Sequence, residues 1–475
     1  MNWFHFIIYF STCIISLGST VAYTNPIIAS SIDENTLIEN SIVESSALIK
    51  RSHKLTGTFL HITDIHIDPN YVEGADPDQL CHRHGKKRSS ETGKYGALGT
   101  RCDSPETLVN AAFSFLKKKV KDVDFILYTG DTVRHDRDDD MPRTQNDVLN
   151  GHKTVMKYFQ KAYDIKSTPY VPTIGNNDVF EHNDVVHNDK IFNKLKKIWQ
   201  PLDLNLTQAF SSGGYFIQDI IKGKLSVINL NTLYFYSQDD GVPDCDEKTG
   251  ASGIQIAWLE YALKHYKKKK GKHQVYIMGH VPPIDDDGSQ LYKSACYKKY
   301  LNLLGKYGSV IGGHFTGHTN NDNLNAIIPS EKKGNYGYYP AGGKDAKHNK
   351  SLLKASTGLF NAPSIIPVHN PAIRVYKYQT KNGKYPVGTI TDWNQYYVDL
   401  DKANRDGKVE FELEYTASEL FGINHFDGKG VGQAIINLAK NKKNHNEYPL
   451  FRRTSYCTVK IMALMQNDTK SMQRR

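Results

Sequence analysis

GTFLHITDIH, residues Gly57 to His66, runs apolar and then stops on an acid and an imidazole. A short apolar run bounded in this way reads as a buried strand. Asp64 and His66, two positions apart just past its end, point to one side and can share a metal ion. A single DxH is common, since either residue can cap a helix or bond a loop, so the weight lies in recurrence. DFILYTGD (Asp124–Asp131), YVPTIGNND (Tyr170–Asp178), KLSVINLNT (Lys224–Thr232), QVYIMGH (Gln274–His280) and SVIGGHFTGHTN (Ser309–Asn320) repeat the pattern. Helical stretches such as Ser104–Lys121 and Ile254–Lys269 separate these runs, which predicts an α/β sheet with its ligands outside the strand ends. Further strands are expected at Ala372–Thr380 and Asp392–Leu400, and a helix near Gly432–Asn441.

Asp64, His66, Asp131, Asn176, His280, His318 and Asn320 all fall at such strand ends. Carboxylate, imidazole and amide together suit hard or borderline divalent cations. Five cysteines follow Cys13, and none forms a CxxC pair, which argues against a zinc–thiolate site.

The chain has 475 residues, enough for a full core, and 60 Lys+Arg against 50 Asp+Glu give a formal net charge of +10. That excess favours anionic partners without choosing one. Residues 1–23 read as a signal peptide or signal anchor: the apolar run from Trp3 to Leu17 is short for a membrane span, and Thr20-Val21-Ala22 could serve as a cleavage site. A polar linker, 24–55, follows. In an oxidising compartment Cys81–Cys102 and Cys245–Cys296 are plausible disulfides, leaving Cys457 over. Sequons at Asn205, Asn349 and Asn467 agree with a lumenal chain. The main domain is expected over 56–415, with an exposed Gly-, Lys- and Tyr-rich loop at 326–351 and a C-terminal extension over 416–475.

DIH, GD, GNND, GH and GHTN, in this order and each behind a strand, resemble the five-block pattern of calcineurin-like metallophosphoesterases. DIHIDPNY (Asp64–Tyr71), GHVPP (Gly279–Pro283) and NPAIRVYKY (Asn370–Tyr378) narrow the resemblance to the branch of acid sphingomyelinase-like phosphodiesterases and fungal endopolyphosphatases. It implies an α/β fold, a β-sandwich flanked by helices, with two divalent ions (Mn, Mg, Zn, Co or Fe) at the strand ends. Carried over position by position, Asp64, His66, Asp131 and Asn320 would hold the first ion. Asp131, Asn176, His280 and His318 would hold the second, with Asp131 bridging. Two such cations activate a shared water and polarise the phosphoryl group, so no protein nucleophile is needed. Asn320 stands where histidine is usual, so the first site is expected either to bind less tightly or to prefer Mn²⁺ or Mg²⁺ to Zn²⁺.

The residue after Asn176 narrows the substrate. In the sphingomyelinase-like branch it is typically a histidine that protonates a leaving alcohol; here it is Asn177. An amide has no proton to release, whereas a leaving phosphate, with a second pKa of about 6, departs as a stable anion. Phosphoanhydrides are therefore favoured over esters, and inorganic polyphosphate is the expected substrate, cut internally by analogy with the endopolyphosphatase branch. A sphingomyelinase-like or nucleotide phosphodiesterase is the alternative, and a non-catalytic polyanion-binding protein the second. His314 is either a replacement acid or phosphate contact, or a structural histidine. Asp178 either orients an active-site histidine or caps a turn. Lys86, Lys87 and Arg88 are candidate substrate contacts, as are Lys117–Lys119 and the run Lys267–His273, each weighed against a plain solvated surface. No specific nucleic-acid partner is expected, and membrane attachment would run through an uncleaved N-terminal segment. The expected location is the vacuole lumen or vacuolar membrane, reached by the secretory pathway, with secretion as the alternative.

Overall fold

Phe59, on the strand that opens the chain's first motif, stacks on Phe125 and on Tyr376, with ring centroids 4.8 Å away in each case. It also meets Tyr276 and Phe315 from across the interior, both at 5.6 Å. These rings are the inner faces of two sheets, in the computed structural model that describes residues 48, 54–85 and 92–451. The 1–23 segment, most of the 24–55 linker, Lys86, Lys87, Arg88, Cys457 and Asn467 lie outside the described residues.

The first sheet joins β1 (Thr58–Ile62), β4 (Phe125–Tyr128), β5 (Tyr170–Pro172), β13 (Ala372–Tyr378), β14 (Ile390–Tyr397) and β15 (Glu412–Thr416), in the order β15-β14-β13-β1-β4-β5. The second joins β6 (Phe216–Ile221), β7 (Leu225–Asn229), β8 (Gln274–Met278), β9 (Ile311–Thr316), β10 (Asn323–Pro329), β11 (Tyr336–Pro340) and β12 (Thr357–Asn361), ordered β11-β10-β12-β9-β8-β7-β6. A two-stranded ribbon of β2 (Ile67–Asp68) and β3 (Ser104–Pro105) lies beside them. β1, β4 and β5 run parallel, as do β7, β8, β9 and β12, so one pole collects their C-terminal ends. Each of these strands is buried on both faces, one against the other sheet and one against helices, which is why the runs are continuously apolar.

The helices follow from spacing and caps. Glu106–Lys119 buries Leu108, Val109, Ala112, Phe113 and Leu116, one stripe of its surface. Gln145–Ala162 starts on a capping box between Thr144 and Asp147. Both disulfides, Cys81–Cys102 and Cys245–Cys296, are formed, closing loops of 21 and 51 residues. Loops of that size restrict the unfolded chain by about 3–4 kcal/mol each. Among the described residues no helix is long and apolar enough to cross a membrane.

Two expectations about chain organisation need correction. The stretch 326–351 is not an exposed loop throughout: it carries most of β10 and all of β11, an antiparallel pair, and Ala326 and Ile327 are buried. Gly, Lys and Tyr around the Ser330–Asn335 turn hid a buried strand, β10, paired with a mostly half-exposed one, β11. The boundary at 415/416 falls inside β15. Beyond it the helices Ala417–Phe421 and Gly428–Lys440 flank Phe426, and Phe421 and Phe426 pack on Trp393 of β14 at 5.7 and 4.6 Å. The strands after residue 356 return into both sheets, β12 pairing with β9 and β13 with β1.

Candidate metal centre

Five of the seven proposed ligands leave their strands in a left-handed backbone conformation. Asp64, His66, Asp131, His318 and Asn320 all have positive φ, between 43° and 71°. Such conformations are strained for residues with side chains and gather at functional sites. The preceding glycines make room. A Cβ on Gly175 would lie 2.2 Å from Asp131 Oδ1, and one on Gly317 would lie 2.0 Å from Thr63 Oγ1 and 2.4 Å from Asp64 Oδ2.

The ligand atoms converge in two groups that share Asp131: Asp64, His66 and Asp131, and Asp131, His280 and His318, with the atoms of each group within 4.8 Å of one another. His66 Nε2 lies 3.2 Å and His280 Nε2 3.3 Å from Asp131 Oδ2. Asn176 Oδ1 is 2.9 Å from both His280 Nε2 and His318 Nδ1. Surroundings fix which atom of each residue faces inward. The Thr129 carbonyl, 2.7 Å away, takes the Nδ1 proton of His280, and the Val133 carbonyl, at 3.1 Å, takes that of His66. Asn176 donates its amide hydrogens to Asn183 Oδ1 and His182 Nε2, so its oxygen is the inward atom. Asp64 Oδ1 is buried without a hydrogen-bond partner, as is Asn320 Oδ1, on the same turn as His318.

Oxygen and imidazole lone pairs crowded together in this way, with buried acceptors unsatisfied, fit a bound cation and little else. The electrostatics agree. Burial works against ionisation of Asp131, yet His280 and His66 hold its carboxyl well below the usual range. Burial would lower His66 and His280, but the carboxylates outweigh it and raise them to about 10 and about 9. The Asp131 carboxylate thus draws positive charge onto these two imidazoles, while burial and then His280 lower His318 to about 4.

Asn177 is turned into this cluster. Its backbone N–H donates to Asp131 Oδ1 and its side-chain amide to Asp131 Oδ2, each at 2.8 Å. Its place is thus behind the shared carboxylate, as a positioning residue. Asp178 accepts from the backbone N–H groups of Asp131, Thr132 and Gly175 at 2.8–2.9 Å, so of its two expected roles the turn clamp is the main one; His152 Nε2 stands 3.5 Å from it. As a catalytic candidate His314 is a correction; of its two expected readings, its surroundings fit the structural one. Its side chain is fully buried, with Nε2 2.8 Å from the Tyr300 hydroxyl, on the helix Ser294–Tyr307. Neighbouring Phe315 faces the sandwich interior, so strand alternation turns His314 toward the helical layer, and burial lowers it to about 3.

One pair escaped the sequence reading. His135 stacks on His66 with centroids 4.2 Å apart and planes 6° from parallel, and its Nδ1 lies 2.6 Å from Asp103 Oδ1. The His-Asp dipeptide four residues after Asp131 was its only signal; Asp103 directly follows Cys102, where the Cys81–Cys102 loop closes. Burial pushes His135 down to about 4 despite Asp103.

Comparison with known proteins agrees with this geometry. Residues 57–321 match the family described as calcineurin-like phosphoesterase, and 357–464 the acid sphingomyelin phosphodiesterase C-terminal region. The chain is 32% identical to an endopolyphosphatase of Yarrowia lipolytica over 58% of its length and 44% of that protein's. It is 30% identical to an endopolyphosphatase of Cryptococcus neoformans over 70% and 59%. The chain thus spans roughly half the length of these curated relatives. Among solved structures, PhoD overlaps 76% of this chain and 68% of its own at 11% identity, with a TM-score of 0.44. The family model alone covers more than half of the chain, and the cluster around Asp131 offers candidate ligands for the divalent metal ions that the family implies: the chain belongs to the calcineurin-like phosphoesterase family.

Proposed function

We propose that this chain is an endopolyphosphatase that hydrolyses internal phosphoanhydride bonds of inorganic polyphosphate with two divalent cations. Asp64, His66, Asp131 and Asn320 would hold one, and Asp131, Asn176, His280 and His318 the other. Such a pair supplies an activated water and charge neutralisation at the phosphoryl group. The chain's own residues set the stage: Asn177 and Asp178 hold Asp131 and its turn in place, while Thr129 and Val133 aim the imidazoles. The observation that carries the choice of substrate is the absence of a titratable group after Asn176. The amide there is spent on Asp131, leaving nothing at that position to protonate an alkoxide, and a leaving phosphate needs no such help. The names of the fungal relatives support the same reading.

The test is hydrolysis of long-chain polyphosphate, sphingomyelin and bis-p-nitrophenyl phosphate by the purified chain across a panel of divalent ions. Shortening of polyphosphate through intermediate lengths supports the proposal; diester cleavage without it defeats it. A diesterase is the second reading, favoured by His135 beside His66, an imidazole within reach of the cluster. Its low pKa makes the ring an acceptor rather than an acid, so this reading ranks second. We further propose a lumenal location on the secretory route, supported by the two disulfides.

A further inference from the structure

The pole opposite the metal centre carries a cationic surface that the chemistry described so far does not use. The helix Ala251–Lys267 ends there, and β8 then runs away from it to deliver His280 at the far pole. Five strand residues separate the two by about 17 Å. Two adjoining cavities of about 370 and 480 Å³ open on this surface, and Lys306 lines both. Lys264, Lys267 and Lys268 line the first, and Lys354 and Lys429 the second.

These lysines come from four separate stretches of chain, so it is the fold that gathers them. The Tyr307 ring lies between two of them, with Lys267 Nζ at 5.2 Å and Lys306 Nζ at 5.1 Å from its centroid. Acidic compensation is thin. Glu260 is shared by Lys306 at 2.8 Å and Lys264 at 3.5 Å, and Asp427 in the second cavity already accepts from Gly430 N as a helix cap. Six ammonium groups thus face two carboxylates.

We propose that this pole docks the distal part of a long polyphosphate chain whose reacting bond lies at the metal centre, an inference that rests on the functional reading above. Lysines are mobile point charges without the fixed fork of arginine, which suits a uniform polyanion sliding through rather than one headgroup held in register. Concavity favours a flexible chain over a flat bilayer. Only a chain long enough to wrap from one pole to the other gains from both sites.

The full chain carrying Lys264→Gln, Lys267→Gln and Lys306→Gln tests this against wild type. The expected result is a KM for long-chain polyphosphate raised about tenfold, with kcat and all kinetics on tripolyphosphate unchanged, and a difference that shrinks as salt rises. An unchanged long-chain KM overturns the proposal, and so does an equal loss on tripolyphosphate. Direct binding of long-chain polyphosphate separates this inference from the functional reading. If wild type binds it through these lysines yet hydrolyses none, the docking site stands and the activity falls. If the triple variant loses only its binding to phosphatidylserine vesicles, the surface is a membrane contact and the proposal fails.

Discussion

Asn177 directs its backbone N–H and its side-chain amide at one carboxylate, and the most sensitive test of the centre follows from that economy. Asn177→Leu keeps the volume and removes the bond to Asp131 Oδ2. Groups that orient metal ligands are typically worth about 10–100-fold in metal affinity or activity. The variant should therefore need that much more metal for half-maximal hydrolysis, read from a metal titration, with its melting temperature little changed. His314 should behave in the opposite way. Because its ring meets Tyr300 and not the cluster, His314→Leu is expected to destabilise the fold by about 1–3 kcal/mol through an unpaired buried hydroxyl, while activity per folded molecule stays constant. A loss of kcat with unchanged urea stability would return His314 to the site.

At the scale of elements, the turn bearing His318 and Asn320 is braced from beneath. Arg374 of β13 meets Asp322 at 2.6 Å, both almost fully buried, and Asn361 of β12 donates to Thr319 Oγ1 and the Asn321 carbonyl. Removing one member of a buried pair strands the other charge, so Asp322→Ala should cost about 3–5 kcal/mol in urea unfolding. The brace also marks where the sequence was readable. β1, β4, β5, β8 and β9 declared themselves because strands buried on both faces are apolar runs, and their ends named the ligands. β10 and β11 did not, since a turn of Lys, Gly and Asn interrupts a hairpin with one half-exposed strand. Asp322 and Arg374 lie 52 residues apart, and His135 meets Asp103 across 32; no local pattern reports contacts that depend on how the sheets stack.

Across the whole molecule, pH tests a site that no motif touched. Asp239 is buried, with Oδ2 unpartnered, and burial pushes its carboxyl up from 3.8 to about 7, Lys293 offsetting only part. Such a group binds its proton more tightly folded than unfolded. The stability it contributes is full below about pH 4 and is lost as pH rises to about 7. Asp239→Asn should melt like wild type at pH 4 and above it at pH 8; equal melting at both would refute the assignment. The last consequence belongs to the way the strands interleave. β12 and β13 return from beyond residue 356 to sit against β9 and β1, so the two halves of the chain are stitched through the middle of both sheets. A single protease cut in the exposed Ser330–Asn335 turn should therefore yield two bands on a denaturing gel and one particle on a sizing column, active as before. For this protein a count of fragments would say nothing about whether the molecule is whole.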